Sequence, residues 1–433
     1  MRISVIGCGY LGAVHAAAMA ELGHDVVGID VDAAKIAHLA EGDPPFYEPG
    51  LAEVLTRTMG SGRLRFSTDI ADAAGSRVHF LAVGTPQLEG SNGADLSYVN
   101  AAVDSLVPHL SAGDLVVGKS TVPVGTAARL AEEVHASGSG ASLAWNPEFL
   151  REGFAVQDTV RPDRLVYGVD SPEAVEVLNE VYAAAIAAGT PLVVTDYATA
   201  ELVKVAANAF LATKISFINA MAEVAEVTGA DVTQLADAIG FDSRIGRRFL
   251  NAGVGFGGGC LPKDIRAFTA RAEELGRGQS VAFLKEVDQI NLRRRQRVVD
   301  LTVSALGAPV WEKKVAVLGL AFKPQSDDVR DSPALDVAVQ LHGLGAQVVA
   351  TDPEAIANAR LRHPQLGYSS SLEQALRDAD AVVLVTEWPE FDAIDPAWAA
   401  SLVRHPVIID GRNRLDAEAW RAAGWTYKGL GRP

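Results

Sequence analysis

Only two cysteines, Cys8 and Cys260, occur among the 433 residues. Two thiols are too few for a disulfide framework and agree with a reducing compartment, so we expect a cytoplasmic protein. Positive charge is also scarce, because 38 Lys and Arg residues stand against 54 Asp and Glu residues and give a net charge of −16. Nucleic acid and anionic membrane surfaces would be repelled, so neither is expected as a partner, although one bound nucleotide is compatible with this charge.

Long apolar runs are missing as well. No stretch of about 20 apolar residues is evident that could span a bilayer, and residues 1–7 lack the apolar core of a secretory signal. The remaining composition, 48% hydrophobic and 21% charged, is typical of an ordered globular protein. Because a chain of this length is too long to fold around a single hydrophobic core, we expect two or three domains.

Glycine is concentrated immediately before the second cysteine. Residues 253–264 read Gly-Val-Gly-Phe-Gly-Gly-Gly-Cys-Leu-Pro-Lys-Asp. Because glycine has no side chain, the backbone of this segment can approach a ligand closely and point its N–H groups at anionic oxygens. A helix pattern follows over residues 265–275, and its N-terminus together with Lys263 would favour the thiolate form of Cys260. We therefore predict a nucleophilic Cys260, in preference to an incidental cysteine in a flexible loop.

A dinucleotide-binding fingerprint opens the chain. The apolar run Arg2–Ile6 predicts a strand, and Gly7-Cys8-Gly9-Tyr10-Leu11-Gly12 matches the pattern G-x-G-x-x-G before a helical stretch. Asp30 ends a second strand pattern, 23 positions past Gly7, where it would accept the ribose 2′-hydroxyl. Because Asp30 would repel a 2′-phosphate, we predict NAD rather than NADP. Cys8 is expected to pack inside the turn.

Two more strand patterns, residues 78–83 and 115–119, end in small polar residues. They are followed by Gly84-Thr85-Pro86 and Ser120-Thr121-Val122-Pro123. In an open parallel sheet the ligand lies beyond the carboxyl ends of the strands, which predicts that Thr85, Ser120 and Thr121 lie beside the nicotinamide. For any one of them, an ordinary turn residue is an equally good interpretation.

Residues 146–152 read Asn-Pro-Glu-Phe-Leu-Arg-Glu. With Asn146 as N-cap and Pro147 as first helical residue, this pattern predicts a helix start that carries Glu148 and Glu152 on one face. Two carboxylates in such a place can hold a water or a sugar hydroxyl. They can also merely favour the helix dipole.

From residue 199 the hydrophobic period is helical until a strand pattern appears at residue 315. Lys204 and Asn208 are four apart on one face of a long, otherwise apolar helix. A polar pair on such a face is costly without partners, so it meets another subunit or an active site. We favour the active site, because Lys and Asn can together stabilise an oxyanion. Phe283–Leu306 predicts another long helix that connects domains, and the basic residues 293–297 are interpreted as its solvated face.

A second α/β pattern begins at Lys314–Leu318 and repeats the strand–helix–strand order of the N-terminus. Only one glycine remains after this strand, so a dinucleotide turn is not expected, and Lys323 and Arg330 are predicted to bind the phosphate of a mononucleotide. The predicted class is α/β, with two Rossmann-type doubly wound parallel-sheet domains joined by a central all-helical region that includes a long connecting helix. The predicted domains are residues 1–197, 198–306 and 307–433.

Taken together, the motifs resemble those of the UDP-glucose/GDP-mannose 6-dehydrogenase family along the whole chain. The matching stretches, in order, are residues 7–12, 84–86, 120–123, 146–152, 204–210, 244–246, 257–264 and 319–323. The resemblance implies oxidation of the C6 alcohol of a nucleotide sugar to a carboxylate by two hydride transfers to NAD, through a thiohemiacetal and a thioester on Cys260. It also implies a homodimer and no metal.

The same resemblance implies roles for individual residues. The catalytic residues would be Cys260, with Lys204 and Asn208 at the C6 oxygen, Asp264 and Thr121 at the hydrolytic water, and Glu148 and Glu152 positioning substrate and water. The cofactor would contact Gly7, Gly9, Tyr10, Leu11, Gly12, Asp30, Lys35, Gly84, Thr85, Pro86, Ser120, Thr121, Glu152, Lys263 and Arg330. The sugar nucleotide would contact Glu148, Phe149, Leu150, Arg151, Glu152, Lys204, Asn208, Phe249, Leu250, Asn251, Ala252, Gly253, Gly257, Phe322, Lys323 and, from the partner subunit, Arg244.

Two points qualify this resemblance. Family members usually have serine before the cysteine, whereas Gly259 stands here and makes the loop more flexible. Residues 208–210 and 244–250 resemble the UDP-glucose branch, while residues 260–264 are also common in the GDP-mannose branch. We favour UDP-glucose, because the first set lies where the substrate is expected.

Two other classes of protein remain open at this stage. A single-hydride 3-hydroxyacid dehydrogenase would share the NAD domain and a Lys/Asn helix, but it needs neither Cys260 nor a third domain. A non-catalytic NAD sensor would not explain a nucleophile, paired carboxylates and an oxyanion pair together.

Overall fold

The computed structural model describes residues 1–433. They divide into two compact units, residues 1–207 with 270–276 and residues 208–269 with 277–433. Helices α9 and α11, defined below, contain residues of both units.

The first unit is built on an eight-stranded sheet. Its strands are β1 (Arg2–Ile6), β2 (Asp25–Ile29), β3 (Leu64–Ser67), β4 (Val78–Leu81), β5 (Leu115–Gly118), β6 (Ser142–Trp145), β7 (Leu165–Gly168) and β8 (Leu192–Thr195). They lie in the order β3-β2-β1-β4-β5-β6-β7-β8, and only the β6–β7 pair is antiparallel. The central strands β4 and β5 are buried along their whole length, which explains why their residues are apolar apart from the buried His79.

Helices connect these strands. They are α1 (Tyr10–Glu21), α2 (Ala33–Ala40), α3 (Leu51–Gly60), α4 (Ser97–Leu106), α5 (Thr126–Ala136), α6 (Ala155–Val160), α7 (Pro172–Val181) and α8 (Ala183–Ala187). The strand order reverses between β1 and β4, so the turns after these two strands border the crevice in which α/β sheets bind ligands.

A helical stretch follows the first sheet. It comprises α9 (Tyr197–Thr228), α10 (Val232–Gly240), α11 (Leu261–Glu274) and α12 (Phe283–Leu306). By length and composition alone, α9 could cross a membrane, although a long core helix meets the same criterion. This finding qualifies the expectation that no membrane-length apolar segment occurs, but α9 also carries the charged residues Glu201, Lys204, Lys214, Glu223 and Glu226.

The second unit contains a six-stranded parallel sheet in the order β11-β10-β9-β12-β13-β14. The strands are β9 (Lys314–Leu318), β10 (Gln347–Thr351), β11 (Gly367–Tyr368), β12 (Ala381–Leu384), β13 (Val407–Asp410) and β14 (Thr426–Gly429). The helices are α13 (Pro333–Gly343), α14 (Ile356–Arg362), α15 (Leu372–Leu376), α16 (Pro389–Asp392), α17 (Pro396–Ala400) and α18 (Ala417–Ala422). Two parallel-sheet α/β regions with helices between them confirm the predicted fold class.

The strand order of the second sheet repeats that of β1–β6 in the first, and one hydrogen bond of the turn after the first strand recurs. The Gly7 N–H donates to Ile29 O at 2.8 Å, and the Gly319 N–H donates to Thr351 O at 2.8 Å. Asp352 follows β10 as Asp30 follows β2, but it is buried and accepts hydrogen bonds from Leu320 N–H, Ala321 N–H and the Trp388 indole. Protein groups therefore use this carboxylate, in agreement with the expectation that no dinucleotide turn occurs here.

The interpretation of the basic residues of α12 as a solvated face is correct for Arg293, which is exposed, and wrong for the next two arginines. Arg294 and Arg295 are buried. Arg294 pairs with Glu226 at 2.8 Å, and Arg295 pairs with Asp331 at 2.8 Å. Carboxylates distant in the sequence make it possible to bury these two guanidinium groups.

Candidate active site

The turn after β1 requires glycine at positions 7 and 12. Gly7 has a φ of +88°, and a Cβ on Gly12 would lie 1.7 Å from the Gly7 carbonyl oxygen. Gly9 is the N-cap of α1, no side chain caps this helix, and nothing lies within 4 Å of a Cβ built on Gly9. The N–H groups at the start of α1 are therefore accessible to an anion such as a pyrophosphate.

Asp30 lies at the end of β2, beside this turn. Its carboxylate accepts hydrogen bonds from Cys8 N–H at 2.8 Å and Asp32 N–H at 3.0 Å, and it pairs with Lys35 at 2.9 Å. Burial raises the pKa of Asp30, but these hydrogen bonds outweigh burial and leave the pKa below its usual value. Asp30 is thus a fixed carboxylate that fits a ribose hydroxyl, and Lys35 lies next to it.

The predicted nicotinamide-side residues are brought together after β4 and β5. The Ser120 hydroxyl donates to Val83 O at 2.6 Å, and the Thr85 hydroxyl donates to Thr121 O at 2.8 Å. Hydrogen bonds from these two side chains therefore join the turn after β4 to the turn after β5. Gly84 and Pro86 lie in the first of these turns. Cys8 is fully buried, and burial raises the pKa of its thiol, as expected of a packing residue.

Residues 146–152 are irregular, so the predicted helix start is wrong. Asn146 is buried and accepts hydrogen bonds from Lys119 and Tyr182 at 3.0 and 2.6 Å instead of capping a helix. Glu148 pairs with Lys119 at 3.1 Å. Its carboxylate also accepts hydrogen bonds from the two following backbone N–H groups. Glu148 and Glu152 consequently do not share a helical face.

Phe149 connects this segment to α9. The Lys204 ammonium lies 5.6 Å from the centre of its ring, and the Arg164 guanidinium lies 3.8 Å from it. The structure therefore brings Lys204 next to residues 148–150 in the first unit. Arg151, by contrast, forms a bidentate ion pair with Asp158, in which guanidinium nitrogens lie 2.7 and 2.9 Å from the carboxylate oxygens.

The predicted nucleophile lies at a helix N-terminus, as expected. The Asp264 N–H donates to the Cys260 carbonyl at 2.9 Å, which makes Cys260 the residue from which α11 starts. Cys260 is exposed. Cys260 directly precedes the first residue of α11, as the sequence predicts.

A polar cluster occupies the first turn of α11. Asp264 is 2% exposed, and its carboxylate accepts hydrogen bonds from the Asn208 amide and the Lys263 ammonium, both at 2.7 Å. The structure thus brings together three predicted site residues from two helices. Lys204 lies one turn before Asn208 along α9.

The glycines before Cys260 are required by neighbouring protein atoms. A Cβ on Gly257 would lie 2.2 Å from Asp331 O, and one on Gly258 would lie 2.7 Å from the Phe322 ring. At Gly259 the Arg330 guanidinium occupies the space of a side chain, since a Cβ there would lie 2.4 Å from the central carbon of the guanidinium. The predicted ligand residues Phe322, Lys323 and Arg330 therefore belong to a segment that lies directly against the cysteine loop.

The remaining predicted substrate residues, 249–253, run beside residues 411–413. Phe249 has a φ of +66°, and a Cβ on Gly253 would lie 2.8 Å from Gly411 O. Leu250 and Ala252 are buried, whereas Asn251 is exposed. Arg244 lies in the preceding exposed loop, where it pairs with Asp242.

Sequence reasoning missed two residues that organise the site. Lys119 holds both Asn146 and Glu148. Glu201 is buried and accepts hydrogen bonds from the Gly125 and Ala127 N–H groups, so it fixes the start of α5 just after Thr121. Two signals could have identified them, namely a lysine directly after a buried strand and a glutamate on an apolar helix face. A charged group in either place is costly unless it has a partner.

A glycine turn and a fixed acidic residue at the strand-order reversal define an NAD-binding protein of the Rossmann type. The chain belongs to the UDP-glucose/GDP-mannose dehydrogenase family. Residues 1–186 match the family's NAD binding domain, residues 198–293 its central domain, and residues 316–417 its UDP binding domain. It is therefore an NAD-dependent nucleotide-sugar dehydrogenase.

Individual relatives are similar over the full length. The chain is 42% identical over 437 residues to UDP-glucose 6-dehydrogenase TuaD of Bacillus subtilis (strain 168), covering 100% of this chain and 93% of that protein. It is 42% identical over 438 residues to the UDP-glucose 6-dehydrogenase of Rhizobium meliloti (strain 1021), covering 100% of each. A solved UDP-glucose dehydrogenase from the archaeon Pyrobaculum islandicum has a TM-score of 0.91 at 40% identity, covering 100% of this chain and 98% of that one.

Proposed function

We propose that this protein oxidises the C6 alcohol of UDP-glucose to the carboxylate of UDP-glucuronate, through a covalent intermediate on Cys260. The observation that carries the proposal is an exposed thiol at the start of α11, one helical turn from the buried carboxylate of Asp264. UDP-glucose is favoured because three relatives that are 40% or 42% identical over the full length carry the name of that activity.

NAD, bound at the glycine turn, supplies the hydride acceptor for each oxidation. The first oxidation gives a C6 aldehyde, which has no hydride to give up until a nucleophile adds. The Cys260 thiolate adds to this aldehyde, while Lys204 and Asn208 stabilise the charge on the oxygen. Loss of the second hydride leaves a thioester, and water held by Asp264 and Thr121 hydrolyses it with thiolate as leaving group.

The other predicted residues position the two reactants. Glu148 and Glu152 orient sugar and water, and Phe322 and Lys323 bind the nucleotide together with residues 249–253 and Gly257. Asp30 and Lys35 bind the adenosine ribose, and Lys263 and Arg330 contact the cofactor. The three domains of the sequence analysis, at residues 1–197, 198–306 and 307–433, are part of this proposal.

The proposal is tested by counting NADH formed from a panel of UDP- and GDP-sugars. We expect about two NADH for each UDP-glucose consumed, because a C6 alcohol loses two hydrides on the way to a carboxylate. One NADH per sugar would instead identify a single-hydride dehydrogenase. Faster turnover of GDP-mannose than of UDP-glucose would assign the protein to the other branch.

We also propose that the protein is a homodimer whose interface includes α9. Phe210, Phe217, Val224 and Val227 are spaced by seven, seven and three residues along this helix. All four are exposed, Phe210 by 67% and Val227 by 84%. A second copy of the same helix is the partner that this spacing fits, since it repeats as the seam of two packed helices does.

The dimer proposal predicts complementation between two inactive variants. If Arg244 acts on the partner's substrate, mixed dimers of Arg244→Ala and Cys260→Ala subunits contain one complete site. Random mixing in equal amounts should then restore about a quarter of wild-type activity, because half of the dimers are mixed and each has one working site of two. Mixed dimers confirmed by mass that stay inactive would place Arg244 in the site of its own subunit.

Cofactor preference is predicted to depend on Asp30. The 2′-phosphate of NADP would meet this carboxylate at close range, where two like charges cost at least ~1 kcal/mol even in water. Asp30→Ser should reduce the difference in kcat/KM between NAD and NADP for two reasons. It removes the negative charge that repels the 2′-phosphate, and it leaves the positive charge of Lys35 without the carboxylate that it contacts at 2.9 Å. Equal kcat/KM for the two cofactors in the wild-type protein would contradict this role.

A further inference from the structure

The backbone that leads to Cys260 is held by side chains of α12. The Asn291 amide oxygen accepts a hydrogen bond from Phe256 N–H at 2.7 Å, and its amide nitrogen donates to Phe256 O at 2.9 Å. Asn291 is fully buried. A Cβ on Gly255, which has a φ of +99°, would lie 2.2 Å from the Asn291 amide oxygen. Both polar backbone groups of Phe256 are thus fixed by one side chain, four residues before the thiol.

Arg295 lies one turn further along α12 and joins this backbone to a second segment. Its guanidinium donates to Phe256 O at 3.1 Å, to Asp331 O at 3.3 Å and to the Asp331 carboxylate at 2.8 Å. It also pairs with Asp336 at 3.4 Å, and the Arg295 side chain is 4% exposed. Burying a guanidinium carries a desolvation cost, which these convergent acceptors offset.

The second segment lies against the cysteine loop. Asp331 has a φ of +45° and also accepts a hydrogen bond from Arg266, which in turn pairs with Asp288. The Gly258 N–H donates to Arg330 O at 3.0 Å. Displacement of Asp331 would therefore move the surface on which residues 257–259 rest.

We propose that Asn291 and Arg295 are positioning residues for the nucleophile. They set the place of the Cys260 thiol through the backbone of Phe256, and Arg295 keeps that backbone in register with the segment that carries Lys323 and Arg330. The inference rests on the proposed function, because it takes Cys260 to be the nucleophile.

Arg295→Lys tests this proposal, because lysine keeps the charge but has neither the planar fork nor the reach with which the guanidinium bridges four acceptors. Arg294→Lys is the matched control. Arg294 is the neighbouring residue of the same helix, its side chain is 1% exposed, and it binds Glu226 rather than the cysteine loop. Each variant is assayed for kcat, for KM with UDP-glucose, for Tm and for the rate at which iodoacetamide alkylates Cys260. Cys8 does not interfere with the alkylation because it is buried.

We expect Arg295→Lys to lower kcat by roughly 10- to 100-fold with KM changed less than about threefold, since a misplacement near 1 Å costs on the order of 100-fold. Alkylation of Cys260 should slow by roughly two- to fivefold, as the thiol loses its alignment with the helix N-terminus. Arg294→Lys should stay within about twofold of wild type in both assays. Asn291→Ala, which removes two neutral hydrogen bonds, should reproduce the fall in kcat and serves if Arg295→Lys does not fold.

The positioning role is overturned if Arg295→Lys and Arg294→Lys give the same kcat and the same alkylation rate. It is also overturned if, in both variants, the loss of kcat is proportional to the decrease in Tm. A Cys260→Ala protein measured beside them separates the two proposals. If that protein is inactive while the lysine variants match, only the positioning role fails. If it forms acid at the wild-type rate, the proposed function itself fails.

Discussion

Replacing Cys260 with serine is expected to give a protein that releases about two NADH per site in one slow turnover and then stalls. A serine hydroxyl can add to the aldehyde in the same geometry, and the adduct can give up its hydride. The resulting ester would have to expel an alkoxide, which is a far poorer leaving group than a thiolate. The oxidised sugar nucleotide should therefore remain attached to the protein.

Intact mass after this turnover is the direct measurement. The expected result is a mass increase by one UDP-glucuronyl group, located on the peptide that contains residue 260. Wild-type protein treated in the same way should show little adduct, because its thioester is hydrolysed. Continuous turnover of the serine variant without an adduct would contradict the covalent step.

Replacing Asp264 with asparagine is expected to lower kcat by roughly 100-fold or more, since loss of a positioned acid–base group costs about 10²- to 10⁴-fold. The substitution preserves the shape of the side chain and removes its charge from a carboxylate that is 2% exposed and accepts hydrogen bonds from Asn208 and Lys263. Because this residue is proposed to hold the hydrolytic water, the slowed step should be thioester hydrolysis.

The Asp264→Asn variant should consequently accumulate a thioester on Cys260 during turnover. Acid quenching followed by intact-mass analysis would detect it, and hydroxylamine should remove it, because thioesters are cleaved by this nucleophile. The double variant Asp264→Asn with Cys260→Ala is the matched control and should carry no adduct. A wild-type rate for Asp264→Asn, or a fall in kcat with no thioester present, would place Asp264 outside the hydrolysis step.

Local sequence patterns predicted much of the fold, because the elements concerned depend on their own residues. Arg2–Ile6, Phe283–Leu306 and Lys314–Leu318 have the bounds predicted for them. After its first residue each of the two strands is buried and, apart from Ser4, apolar, as parallel strands covered on both faces should be. The glycine turn with Asp30 and the helix start after Cys260 were also predictable, since both are encoded within short segments.

Two expectations were wrong because they depended on distant partners. Asn146 and Pro147 have the pattern of a helix start, but Lys119 and Tyr182 bind the Asn146 side chain and hold the segment in an irregular conformation. Arg295 was interpreted as solvated because Asp331, its partner, is 36 residues away along the chain. A local pattern cannot show that a charge has a buried partner.

Acid formation by Cys260→Ala is the measurement that tests the central claim most directly. The variant keeps the glycine turn after β1, the hydrogen bonds of Asp264 and the segment that carries Lys323 and Arg330, and it removes only the thiol. With UDP-glucose and NAD, we predict almost no UDP-glucuronate and no covalent adduct, because the aldehyde has no nucleophile to form the second hydride donor. Formation of UDP-glucuronate at the wild-type rate would contradict the covalent mechanism.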